Sequence, residues 1–285
     1  MSIMIRVLSV AALSMVIASL PAVALAQVDQ EVLARTILGD DAYAAQVAVG
    51  RVQAVMESEG IGPELRAALV TVLERQNEVY FNYKKVFASG VLDGIDDPAD
   101  YPPEMGEFWG EGYFHLFMTV IALRDPQAIP ALVGALGEGP RVAEALAELG
   151  EEAAPALLSV AEGGAREEIQ AAGAMRALTL LVKDPKAQPI SQSILERTRR
   201  LAREQLSEKT EYPDVNYHSP SGQSYRLQGA VTLALALEDP FLRELVSDLA
   251  RDPAAVRRLG VEDSGVLAGV QRHAAEALAR PPRRR

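Results

Sequence analysis

Prolines in this chain stand at the threshold of runs with helical spacing, and that placement restricts the fold. Val142, Ala145, Leu146 and Leu149 fall at i, i+3, i+4 and i+7, and Gly150 follows as a stop. Ala154, Leu157, Leu158 and Ala161 repeat the spacing, with Pro155 near the first helical position. Proline inside a helix costs about 3 kcal/mol, but in the first turn its missing N–H is not needed. Pro155, and Pro130 in the same setting, therefore start helices.

The pattern recurs along the chain. Asp125-Pro126-Gln127-Ala128-Ile129-Pro130 and Asp184-Pro185-Lys186-Ala187-Gln188-Pro189 share the frame D-P-x-A-x-P, 59 residues apart. Two repeats of roughly thirty residues fit that interval. An apolar stripe precedes each Asp-Pro: Phe114, Phe117, Met118 and Ile121 before the first, and Ala171, Ala174, Met175, Leu178, Leu181 and Val182 before the second. A third instance runs Leu227, Ala230, Val231, Ala234, then Asp239-Pro240, then Leu242, Leu245, Val246 and Leu249. The repeating unit is helix, tight Asp-Pro turn, helix, with the Asp placed to cap the second helix.

The stretch DPQAIPALVGALGEGPRVAEALAELGEEAAPALLSV resembles the short HEAT-like repeats grouped with those of phycobilisome lyases, among the armadillo-type α-solenoids. The resemblance is clearest over residues 114–182, recurs at 225–279 and is blurred at 28–88. It implies an all-α fold, a right-handed α-solenoid of about six stacked antiparallel helix pairs. Repeats of this kind serve lyases, adaptors and scaffolds alike, so the resemblance carries a fold and not a reaction. With no composition break resembling a linker, residues 27–280 read as one solenoid.

The first 26 residues read as an export signal. Arg6 supplies one positive charge, Val7 to Leu20 is uncharged and apolar, and Ala24-Leu25-Ala26 offers the small residues of a cleavage site. Fourteen helical residues reach about 21 Å, short of a hydrocarbon core of about 30 Å. No cysteine occurs, which excludes a lipoprotein anchor, disulfides and thiolate zinc sites. The expected mature chain is periplasmic or secreted, has no integral membrane span, and draws its stability from apolar burial. The sequence holds 28 Lys plus Arg against 39 Asp plus Glu, and only Arg6 lies within the signal. A net charge of −11 argues against nucleic acid and anionic membranes as general partners. The tail Arg280-Pro-Pro-Arg-Arg-Arg285 reads as a disordered basic end at 281–285.

Two stretches break the repeat. Ala88 to Glu107 is a long loop carrying Asp93, Asp96, Asp97, Asp100, Glu104 and Glu107, without the spacing of a calcium loop. Ten of the fifteen aromatic residues lie between Tyr80 and Phe117. Tyr101, Trp109 and Tyr113 are the candidates there for an amphipathic partner-binding patch, with core packing as the competing reading. The second break, Ser207 to Ser224, is rich in turn formers and reads first as a plain surface connection, although Tyr212, Tyr217 and His218 could display hydrogen-bonding groups on its rim.

Tests for chemistry come back empty. The three histidines do not form H-E-x-x-H: His115 is expected in a core with a hydrogen-bond partner, and His273 on the flank of a packed helix. No G-x-S-x-G, P-loop or dinucleotide fingerprint occurs. No catalytic, cofactor or metal residue is therefore assigned. The expectation is an exported interaction or scaffolding module whose partner, a protein or peptide, contacts Tyr101, Trp109, Tyr113, Tyr217 and His218. The alternative is a small-ligand binder or enzyme using the aromatic region around residues 80–117.

Overall fold

A computed structural model describes residues 29–58, 60–88, 107–183, 190–212 and 220–280. Among them every regular element is helical, so the all-α expectation holds. The α-helices are α1 Gln30–Leu38, α2 Ala42–Ser58, α3 Pro63–Ala88, α4 Glu111–Leu123, α5 Ile129–Gly134, α6 Pro140–Glu148 and α7 Ala154–Ser159. They continue as α8 Glu168–Lys183, α9 Gln192–Ser207, α10 Pro220–Ala236, α11 Pro240–Arg251, α12 Pro253–Arg258 and α13 Ser264–Ala279. Short 3-10 turns lie at Pro126–Ala128, Leu136–Glu138 and Gly150–Ala153, and a π-turn at Val160–Gly164.

The prolines do what their positions predict. Pro63, Pro140, Pro220, Pro240 and Pro253 open their helices, and Pro130 and Pro155 are the second residues of theirs. The Asp before a proline accepts the orphan amides of the first turn. Asp239 takes the N–H groups of Phe241 at 2.9 Å and Leu242 at 3.2 Å, Asp252 that of Ala254 at 2.8 Å, and Asp125 that of Gln127 at 2.9 Å. Arg124 and Glu238, just ahead of two of these turns, sit at φ 50° and 53°, the left-handed conformation that ends the preceding helix. Gly150, at φ 73°, stops α6 as its position suggested. The Asp184–Pro189 frame lies outside the described residues.

Contacts sort the helices into two rows. In one, α2, α4, α6, α8, α10 and α13 each pack on the next; in the other, α1, α3, α5, α7, α9 and α11 do the same. Cross-row contacts such as α1 on α2, α3 on α4, α7 on α8 and α9 on α10 bury a continuous apolar core from Leu33 to Ala274. The stripes at Ala171–Val182 and Leu227–Ala234 supply much of the α8–α10 seam.

Two expectations need correction. Phe114 is 53% exposed, because α4 turns Tyr113, Leu116, Phe117 and Val120 inward, a stripe offset by one residue from the expected one. His115, next to it, is exposed rather than in the core. His273 is half-buried and lies 3.1 Å from Thr232 Oγ1, as a flank residue should.

Asp125 also ties one turn to the neighbouring row, since Arg66 Nη1 reaches its Oδ2 at 3.0 Å. Burial would raise its carboxyl, but the Gln127 amide and Arg66 outweigh that and hold it below the ordinary range. A depressed folded value gives stability that is present above the ordinary carboxylate range and lost as pH falls through the folded value. Melting temperature should therefore drop at the acid end, below about pH 4, and Asp125→Asn should flatten that part of the profile.

Candidate functional site

The site is built on α3 and α5 of one helix row and on the segment that leads into α8. From Thr71 onward, α3 carries Thr71, Glu74, Arg75, Asn77, Glu78, Tyr80, Phe81 and Lys84 toward the groove. Opposite stand α5, the 136–138 turn and the segment from Val160 to Gln170, and between them lies a groove of about 640 Å³.

Neutral hydrogen bonds fix its walls. Asn77 Nδ2 donates to the Ala131 carbonyl at 2.7 Å, and its Oδ1 accepts the Tyr113 hydroxyl at 2.7 Å. A Cβ on Gly134 would stand 2.3 Å from Asn77 Nδ2, so a larger residue there would displace the Asn77 side chain from its hydrogen bonds. Gln170 binds both sides of its wall, donating to the Val133 carbonyl at 3.0 Å and accepting the Arg166 amide at 2.8 Å.

Charges line the opening. Lys84 Nζ lies 3.0 Å from Glu138 Oε1, 2.8 Å from Glu167 Oε2 and 4.1 Å from the centre of the Tyr80 ring. Burial would lower the Lys84 ammonium, yet Glu138 and Glu167 outweigh it and hold the group above its ordinary value. Burial, with Glu138 and Glu167 adding to it against Lys84, pushes Tyr80 up to about 12. Its hydroxyl is neutral at physiological pH and serves as a hydrogen-bonding group, not a base. Next to this cluster, Arg166 Nη1 meets Glu78 Oε1 at 2.6 Å while its guanidinium lies 5.0 Å from the centre of the Phe81 ring.

The far wall is irregular, and a buried polar network holds it. Gly163 breaks the π-turn at φ 142°. Gln205 Nε2 donates to the Ala161 carbonyl at 3.1 Å, and the Tyr212 hydroxyl donates to the same oxygen at 3.0 Å. Arg226, only 2% exposed, donates from Nη1 to Gln205 Oε1 at 2.8 Å and holds Nε 3.5 Å from Glu168 Oε1. Outside, Arg197 clasps Glu162 with two hydrogen bonds, one of them Nε to Oε1 at 2.7 Å.

Of the expected site residues, Trp109 and Tyr113 are among the described ones, and both are buried. Trp109 and Tyr113 are 5% and 3% exposed, so they are core and not a docking surface. Tyr113 packs on Tyr80, Phe108 and Phe117 with centroids 5.1 to 5.6 Å apart, and Gln76 Oε1 accepts the Trp109 amide at 3.2 Å. Tyr212 is likewise buried, with its hydroxyl turned inward to Ala161. Tyr101, Tyr217, His218 and the acidic positions 93–104 lie outside the described residues. Sequence reasoning missed Lys84, Glu138, Glu167 and Arg166. Only Tyr80 and Lys84, four apart on one helix, left a local signal.

Among the described residues no group of three or more His, Asp or Glu is arranged to hold a metal ion, and no helix is long and apolar enough to cross a membrane. Compared with protein-family models, with curated proteins and with solved structures, the chain matches none.

Two consequences can be measured. Trp109→Ala with Tyr113→Ala should destabilise the fold by several kcal/mol, on the order of 3–5 for each large ring removed, seen as an early denaturant midpoint. Arg226→Met removes the buried donor to Gln205 and the cation beside Glu168, and should cost about 3 kcal/mol. Adding Glu168→Gln should recover part of that loss, and recovery would separate the charge from simple packing damage.

Proposed function

We propose that this chain is an exported α-solenoid of HEAT-like repeats that binds a polypeptide segment in the groove between α3, α5 and the 160–170 segment. Two rows in which each helix packs on its own row neighbour are the arrangement that stacked HEAT-like pairs make, and a right-handed solenoid is the form proposed here. The first 26 residues are the address for export, with cleavage after Ala26.

One observation carries the binding reading. The groove runs across α3 and α5, neighbours in one helix row, to the π-turn that follows α7 and the segment leading into α8, and aromatic faces and charged groups of both signs line it. Such a surface offers an extended chain both area and orientation, as binding sites built on rigid scaffolds do. The walls are hydrogen-bonded in place before any partner arrives, so little ordering of the scaffold opposes docking.

A photoreactive phenylalanine analogue at Thr71, an exposed groove position, tests this in the producing cell. Tyr43, 71% exposed on α2 and outside the groove, is the control. The expected result is a discrete polypeptide adduct from Thr71 and none from Tyr43. Equal labelling at both positions, or none at Thr71, would overturn the assignment. N-terminal sequencing of the envelope-derived protein should begin at Gln27, and an intact Met1 would end the export reading.

A further inference from the structure

We propose that the groove recognises arginine or lysine side chains of its polypeptide partner, and that Lys84 holds the recognition cage as the chain's own stand-in for them. This rests on the groove reading above. The cage is an aromatic face with two carboxylates converging on one point: Tyr80 at 4.1 Å, Glu167 at 2.8 Å and Glu138 at 3.0 Å from Lys84 Nζ. That set satisfies an organic cation on both counts, ring quadrupole and charge-assisted hydrogen bond. The set keeps Lys84 protonated more firmly than in water despite partial burial, so the cage selects positive charge.

A simpler pairing of ring and carboxylate lies beside it. Arg166 stacks on Phe81 at 5.0 Å with Glu78 at 2.6 Å, so adjacent ring residues on α3 each present a face to a cation. Of the three basic residues lining the groove, two are therefore already matched by its carboxylates and rings, against four lining glutamates. An incoming cation meets complementary chemistry, whereas an acidic segment meets Glu74, Glu78, Glu138 and Glu167. The chain's net charge of −11 also draws a basic partner toward it.

Lys84 can leave. Its side chain is 29% exposed, and those of Glu138 and Glu167 are 18% and 28% exposed, so the pairs are partly solvated and reachable by an incoming cation. The cluster borders a groove of about 640 Å³, which leaves room for exchange. A partner cation thus displaces an internal one, and affinity reports the difference between the two.

The test is fluorescence anisotropy with a labelled peptide of sequence Gly-Ser-Arg-Gly-Arg-Ser-Gly and its citrulline counterpart, which keeps the shape and removes the charge. Lys84→Gln, checked for folding by circular dichroism, should bind the arginine peptide about tenfold more tightly than the unaltered protein and leave the citrulline peptide unchanged. Adding Glu138→Gln and Glu167→Gln should abolish that gain. Weaker or unchanged binding by Lys84→Gln, or equal binding of both peptides, would overturn cation recognition. With the Thr71 cross-link still formed, such a result would leave the groove reading standing; loss of both would remove the two together.

Discussion

Six-residue helices do not persist alone in water, where even good helix formers need about 12–15 residues. Yet α5, α7 and α12 have six residues each, and α5 and α7 stand next to each other in the row that carries the groove. They exist because each buries an apolar face, Ile129, Ala131 and Leu132 in one and Ala154, Leu157 and Leu158 in the next. Lateral packing is thus the constraint on which the rest depends. It demands close approach, and small residues supply it: a Cβ on Gly173 would stand 2.5 Å from the Leu136 carbonyl oxygen. That contact seats α8 against the turn that delivers Glu138 to the groove.

Local signals made much of this legible. Helix starts could be read from Asp and Pro because a cap acts within one turn, and Asp125 and Asp239 behave as their sequence context requires. Buried stripes such as Ala171 to Leu181 follow from periodicity alone, since 3.6 residues per turn fixes which side chains share a face. The site was less legible, because its parts come from three places. Glu138 is 54 residues from Lys84 and Glu167 is 83, and no spacing rule connects them. The aromatic cluster was visible as composition, but which rings face water depends on helix rotation. A shift of one position on α4 buries Tyr113 and exposes Phe114.

The groove's electrostatics follow from its partial burial. A fully buried Lys with two carboxylates would carry a heavy desolvation cost, and a fully exposed one would be screened into irrelevance. At 29%, 18% and 28% side-chain exposure the cluster sits between these limits, where attraction survives and exchange with solvent or a ligand remains feasible. Tyr80 gains from the same setting: pushed up to about 12, it keeps its proton, so its ring face is not complicated by a phenolate beside two glutamates.

The irregular wall shows what such a site asks of its scaffold. The Ala161 carbonyl lies in the π-turn, and two buried donors, Gln205 and Tyr212, converge on it from α9 and the segment after it. Arg226 on α10 then orients Gln205 and approaches Glu168 at the start of α8. A chain of polar contacts therefore links the groove wall to α8, α9 and α10, inside a core made mostly of Ala, Leu and Val. In that low-dielectric setting each member holds its neighbour's geometry, since an unpaired buried group costs more than a made bond returns. The row could have run through this point as a regular helix pair. It departs from regularity at the residues that bound the groove, and the buried network fixes that departure in a single shape.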